Sequence, residues 1–235
     1  MNFIGGKRML LISGTQEWKV EHPGAAIGLL ELSNVENDEK SPKLDQRKRA
    51  LEAELVKRYG ELSRQELVAL PVMAAYRSYY KQFKKTYHVQ LQIESIAKKG
   101  KKLPNVSPLV DANFMAEVET FVLTAGHDVA KLRGEIAIDV AHEGDHITQM
   151  NGSDKSIYAG DMIMRDKEGI CCSILYGQDN RSPIMPETEH VLYVAYAPGG
   201  VPREAVEKQL LKIEENVRLF STEAIVEQRR LLITV

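Results

Sequence analysis

Residues 103–128, LPNVSPLVDANFMAEVETFVLTAGHD, join two unlike parts of a 235-residue chain. Before them the pattern is helical and basic; after them it becomes strand-like. Asp111 and Asn113 lie two apart at the expected entry of a helix, and His127 and Asp128 lie at the far end of the stretch. Short polar side chains at a helix start can accept hydrogen bonds from backbone N–H groups that have no intrahelical partner. Capping is therefore the plain reading of Asp111 and Asn113, and a ligand-binding pair is the sharper one.

C-terminal to this stretch the hydrophobic period is two. EIAIDVA at 135–141 alternates as a half-buried strand does. DMIMRD at 161–166 and ICCSILY at 170–176 flank Lys167-Glu168-Gly169, which predicts a hairpin. HVLYVAYA at 190–197 is continuously apolar, as expected of a strand covered on both faces. Pro202 opens a helix with Glu204 in its first turn. Val206, Leu210, Ile213, Val217 and Phe220 form its apolar stripe. A second helix is expected over residues 222–230.

N-terminal to the stretch, residues 9–13 and 24–35 read as buried strands and residues 36–45 as an exposed loop. A helix is expected over 44–59, with Gly60 as its stop. Ser63 and Glu66 have capping-box spacing, and Pro71 is expected to end that short helix. Residues 73–92, MAAYRSYYKQFKKTYHVQLQ, carry five of the chain's 14 Tyr and Phe residues. From 74 to 102, eight Lys and Arg face only Glu94, a local net of +7. Tyr76, Tyr80, Phe83 and Tyr87 fall on one helical face, so they predict a buried stripe with a solvated basic face behind it. Lysines neutralise phosphates and aromatic rings stack on unpaired bases. Lys81, Lys84, Lys85, Lys98, Lys99, Lys101 and Lys102 are accordingly the candidate RNA contacts.

Composition narrows the class. A hydrophobic content of 43%, a charged content of 27% and a formal charge of −2 are ordinary for a globular protein. Cys171 and Cys172 are adjacent and offer no disulfide framework. No run approaches the ~20 apolar residues of a membrane span, so a cytoplasmic location is expected. His142 to His146 matches H-E-x-x-H, but Gly144 and the strand-like flanks predict a turn rather than the helix a zinc site needs. No metal and no cofactor are expected. The polar groups left to converge are Asp111, Asn113, His127 and Asp128 with Asp179, Asn180, Arg181 and Thr188. Arg181 suits a carboxylate or phosphate.

Leu109-Val110-Asp111-x-Asn113, then Asp128, EIAIDVAHEGD, NGSDKSIYAGDMIMRD and PETEHVLYVAYA occur in an order that resembles one family. This is the B3/B4 domain, the editing region of the phenylalanyl-tRNA synthetase beta chain, and in particular its stand-alone members. The resemblance covers about residues 103–197. It implies an α+β fold with a mixed-sheet, sandwich-like core and flanking helices. Residues 1–102 would be an N-terminal elaboration and 201–235 C-terminal helices, around a core at 103–200, in one compact domain. In the synthetase this region hydrolyses tyrosine wrongly attached to the phenylalanine tRNA. Only Asp111, Asn113, Asp128, Glu187 and Thr188 carry over. The family's histidine position holds Ala125 here, and the loop before Glu187 lacks the Gly-Gly-Glu run.

The resemblance implies a tRNA or aminoacyl-tRNA partner and a deacylase-type ester hydrolysis in trans, without ligase activity. Asp128 or Asp179 would orient water with His127. The alternatives are a non-catalytic binder of a small amino-acid-like molecule gripped by Arg181, and a protein-interaction domain that keeps only the fold.

Overall fold

The computed structural model describes residues 10–37 and 40–234. In chain order the N-terminal part is β1 (Ile12–Gly14), α1 (Gln16–Glu21), β2 (Ala26–Ser33), α2 (Pro42–Tyr59), α3 (Arg64–Ala69), α4 (Pro71–Gln82) and α5 (His88–Lys99). The central stretch forms α6 (Pro108–Thr120) and β3 (Thr124–Asp128). Then come β4 (Ile136–Val140), β5 (His146–Thr148), β6 (Asp154–Ser156), β7 (Met162–Asp166), β8 (Gly169–Ser173) and β9 (Gly177–Gln178). The last elements are β10 (His190–Ala197), α7 (Arg203–Val217) and β11 (Ile225–Ile233).

The fold is α+β. A five-stranded sheet runs β1-β4-β7-β8-β9, and a four-stranded sheet runs β11-β2-β10-β3. The first is mixed, because β1 pairs parallel with β4 while its other pairs are antiparallel. A small β5-β6 ribbon, closed by a turn at Asn151-Gly152, is bridged through Gln149 to Asp179 just beyond β9. In the four-stranded sheet β10 is an inner strand, and after His190, which pairs with Glu31 at 2.9 Å, it is buried throughout. It pairs along its length with β2, and β2 pairs in turn with β11. Segments from both ends of the described chain and from its middle therefore share one sheet.

Several local expectations hold for identifiable reasons. Ser41 accepts from Leu44 N to start α2, with Pro42 in the first turn where its missing N–H costs nothing. Ser63 and Glu66 form the full capping box of α3. Leu51, Leu55 and Tyr59 bury the stripe of α2.

Three expectations are corrected. Residues 222–230 do not form a helix; a turn at 222–223 leads into β11 from Ile225, because pairing with β2 outweighs the helical preference of Glu, Gln and Arg. Residues 73–92 are not one helix. They break between α4 and α5, where Lys84 takes a positive φ of 56°. Pro71 does not merely end α3; it opens α4. Of the first expected strand, residue 9 lies outside the described residues, and β1 itself begins at Ile12.

The break in the helix leaves the tyrosine stripe intact. Tyr76 and Tyr87 stack across it with ring centroids 4.2 Å apart and planes 4° from parallel. The phenols are buried and hydrogen-bonded, as buried hydroxyls must be. Tyr76 donates to Tyr196 O on β10 at 2.6 Å, and Tyr80 donates to Ile174 O just beyond β8 at 2.6 Å. Tyr79 donates to Asp161 at 2.7 Å and Tyr87 to Phe121 O at 2.8 Å. Helix α4 thus ties the two main sheets together through its hydroxyls.

Candidate functional site

The predicted polar residues fall into two groups. Asp111 lies in the first turn of α6 and is buried. Its carboxylate accepts from Val106 N at 3.0 Å and from Lys48 Nζ at 2.6 Å. Lys48 is itself fully buried and also donates to Asn105 Oδ1 at 2.6 Å and to Pro104 O at 3.0 Å. Asn113 donates to Thr124 O at 2.9 Å, and its Oδ1 has no hydrogen-bond partner among the described residues.

The second group gathers His127, Asp128, Asp179, Arg181 and Thr188. Asp128 ends β3 and caps the short 3₁₀ turn Val129–Lys131, accepting from Ala130 N at 2.9 Å. Its other oxygen accepts from Thr188 Oγ1 at 3.0 Å. His127 is fully buried, and its Nδ1 lies 2.8 Å from Ser182 Oγ. Gln178 Nε2, a donor only, lies 3.2 Å from the same nitrogen. That assigns Nδ1 as acceptor and puts the ring proton on Nε2, which has no partner among the described residues. Burial lowers the His127 pKa to about 3, so the ring is neutral near pH 7. Ser182 Oγ lies 2.9 Å from Asp179 Oδ1, and the Asp179 carboxyl is raised by burial against the opposing bond from Ser182 and the charge of Arg181.

The order of these contacts matters for chemistry. A serine nucleophile needs its histidine to carry the carboxylate on the far ring nitrogen. Here Asp179 contacts the serine itself, and Ser182 is only 1% exposed. The arrangement locks the 178–182 loop onto β3. Arg181 completes the lock. Its Nε lies 2.8 Å from Asp179, and its NH1 lies 3.3 Å from both Asp166 and Glu168. Three carboxylates thus already meet this guanidinium. Asn180 and Glu187 are exposed.

His142 to His146 form a turn leading into β5. His142 Nε2 lies 2.8 Å from Glu17, and His146 lies 3.4 Å from Gly144 O, so the two do not share one helical face. Cys171 and Cys172 are buried in β8, and burial pushes the Cys172 thiol up to about 12.

The basic half builds a different site. Helices α3, α4 and α5 and the break before α5 border an open cavity of about 570 Å³ lined by Arg64, Arg77, Lys81, Lys85, Gln90 and Tyr87, among others. Arg64 is paired with Glu94 at 3.3 Å. Arg77 and Lys81 are exposed and have no ion pair among the described residues. Lys85 lies in the break between α4 and α5, next to Lys84, and lines the cavity there. The other lysines diverge. Lys98 donates to Leu62 O and Lys102 pairs with Glu52 at 3.3 Å. Lys101 and Lys102 rim a second groove of about 360 Å³, floored by Leu91, Ile96, Phe114 and Val118. Lys84 and Lys99 are exposed. Arg64 was not among the sequence candidates; it stands inside the α3 capping box, directly after Ser63, and so reads as helix chemistry alone.

Residues 72–213, more than half of the chain, match the family model described as the B3/4 domain. The chain belongs to the B3/4 domain family. The resemblance read from the motifs over 103–197 is thereby borne out and widened. The B3/4 match takes in nearly all of α4, all of α5 and most of α7, and with α4 and α5 most of the cavity wall. Arg64, β2 and β11 lie outside it. Among solved structures, the chain is similar to an N-terminal fragment of the phenylalanyl-tRNA synthetase beta-subunit from Pyrococcus horikoshii. The two share 8% identity with a TM-score of 0.45, and the match covers 96% of this chain and 51% of that one. The chain therefore spans about half the length of the fragment. Comparison with curated proteins gives no match. Among the described residues, no helix is long and apolar enough to cross a membrane.

Proposed function

We propose that this B3/4 domain is an RNA-binding module that holds the phosphate backbone of a tRNA or aminoacyl-tRNA in the cavity between α3, α4 and α5. The observation that carries this reading is the pair Arg77 and Lys81, exposed on the cavity wall with no acidic partner among the described residues. Lys85 and Arg64 add charge beside them. Such cations attract phosphates because binding releases the counterions condensed on the nucleic acid. Family membership and the motif likeness to a tRNA-editing region make tRNA the polymer to test.

Binding is placed ahead of hydrolysis. Ester hydrolysis needs a base within reach of a water and of the scissile bond. His127 and Asp179 are spent on Ser182, and Asp128 on Ala130 and Thr188. A deacylase built on them would first have to open the 178–182 loop. The alternative, a binder of a small amino-acid-like molecule, is favoured by one observation, the apolar groove of Phe114 and Leu91 rimmed by Lys101 and Lys102. A carboxylate could meet Lys101, whereas Lys102 is paired with Glu52 and Arg181 with three carboxylates.

The test is filter binding of total tRNA, charged and uncharged, across a salt series, with wild type and an Arg77→Glu/Lys81→Glu variant. The reading expects salt-sensitive binding. In the variant the slope of log K against log salt should flatten by about 0.7–0.9 per lost contact. Wild-type protein that binds no tRNA at low salt refutes it.

A further inference from the structure

The rings that the sequence offers for stacking, Tyr76, Tyr80 and Tyr87, are core. A different set of rings reaches the surface through Tyr158, with Phe83 and Tyr176 half-buried beside it. Phe83, in the break between α4 and α5, lies 5.9 Å from Tyr158, and Tyr158 lies 6.1 Å from Tyr176, near-parallel at 28°. Tyr158 is 49% exposed. Three separate segments therefore build an aromatic ladder whose Tyr158 ring is open to solvent. Lys85 Nζ stands 4.3 Å from the Tyr176 ring centroid and 5.8 Å from that of Tyr158. The same lysine lines the basic cavity. Phosphate-binding charge and exposed aromatic surface thus meet at one side chain.

We propose that Tyr158, with Tyr176 and Phe83 behind it, is a stacking platform for an unpaired base of a single-stranded RNA segment whose adjoining phosphates lie in the cavity. The proposal rests on the RNA-binding reading of that cavity and adds the class of RNA. A cationic groove beside stacked rings holds single strands with little sequence preference, because every base offers a π-face. A paired stem keeps its bases inside the helix and can use only the charges. Charge complementarity favours RNA over an apolar peptide at this ladder, since Lys85 lies over the rings and Arg77 and Lys81 stand on the wall Lys85 shares.

The experiment uses the full chain and two fluorescently labelled octamers of equal charge, octauridylate and an octamer of abasic sugar phosphates. Anisotropy titrations at low salt compare wild type, Tyr158→Ala, Tyr158→Phe and Arg77→Glu/Lys81→Glu. Wild type should bind octauridylate about one to two orders of magnitude more tightly than the abasic strand. Tyr158→Ala should lose that advantage and bind the abasic strand as wild type does. Tyr158→Phe keeps the ring and should keep the advantage, which separates stacking from misfolding. Equal wild-type affinity for the two strands, or full retention of the octauridylate preference in Tyr158→Ala, overturns the platform while leaving the cavity reading intact. Absence of binding to both strands, or indifference of both to Arg77→Glu/Lys81→Glu, overturns the cavity reading and the platform with it.

Discussion

Glu117 gives the sharpest quantitative expectation. It sits on α6, 2% exposed, with Oε2 accepting from Thr124 N at 3.1 Å and Oε1 3.9 Å from His88 Nε2. Burial raises its pKa from the ordinary 4.5 to about 8, partly opposed by the Thr124 bond. The surrounding phenols of Tyr76, Tyr80 and Tyr87 are pushed up by burial and stay neutral, and burial lowers His88. The folded pKa is the higher one, so the folded state holds a proton that the unfolded chain has lost. Stability is therefore full below about pH 4.5 and falls as pH rises through about 8. The slope is at most ~1.4 kcal/mol per pH unit. Between pH 6.5 and 8.5 wild type should lose about 2 kcal/mol through this group. Glu117→Gln keeps an acceptor for Thr124 and carries no charge. Any fixed cost of burying its amide is independent of pH and cancels in the comparison. Asp161, raised by burial to about 7 despite bonds from Ser173 and Tyr79, adds the same background to both proteins. Urea unfolding at several pH values is the assay. The stability difference between variant and wild type should move by about 2 kcal/mol in favour of the variant across that window. Parallel stability curves for the two proteins would refute a buried, protonated Glu117.

Two further outcomes follow from burial. Lys48→Met should cost about 3–5 kcal/mol in urea unfolding, because it strands the Asp111 carboxylate 7% exposed without its cation; Lys48→Met/Asp111→Leu should recover much of that loss. Cys171 and Cys172, both raised by burial, should resist a thiol reagent at pH 8 in the folded protein and react at once in denaturant.

Local chemistry makes much of this fold legible in the sequence alone. The capping box at Ser63, Pro202 ahead of α7, the 161–176 hairpin and the unbroken apolar run of β10 each follow from side-chain period or turn chemistry. What failed was decided by distant partners. Residues 222–230 carry good helix formers, but β2 offers eight residues of sheet pairing, and the ladder wins. The tyrosine stripe reads as one helix because Tyr76 and Tyr87 do share a face; that face is assembled across a break, by stacking. At the site, residue type pointed to His127, Asp128, Asp179 and Arg181, and these are indeed neighbours. The contact order of Asp179 and His127 around Ser182 arises from a loop folding onto β3, which spacing along the chain does not encode. The Tyr158 ladder was invisible for the same reason, since its three rings come from separate segments.

The four-stranded sheet also sets a timetable. Its inner strand β2, AIGLLELS, is made early, yet its two neighbours are β10 and β11. Thr234 then closes the sheet by donating to His22 O, a residue 212 positions earlier. Contacts of such long range pay the full loop-closure entropy before they gain anything, which slows folding. Until residues 225–233 have left the ribosome, β2 has one edge or both without a ladder, and its apolar side chains lack part of their cover. The nascent chain is thus an aggregation hazard through most of its synthesis, and yield in the cell should depend on chaperone supply more than on the stability of the finished domain.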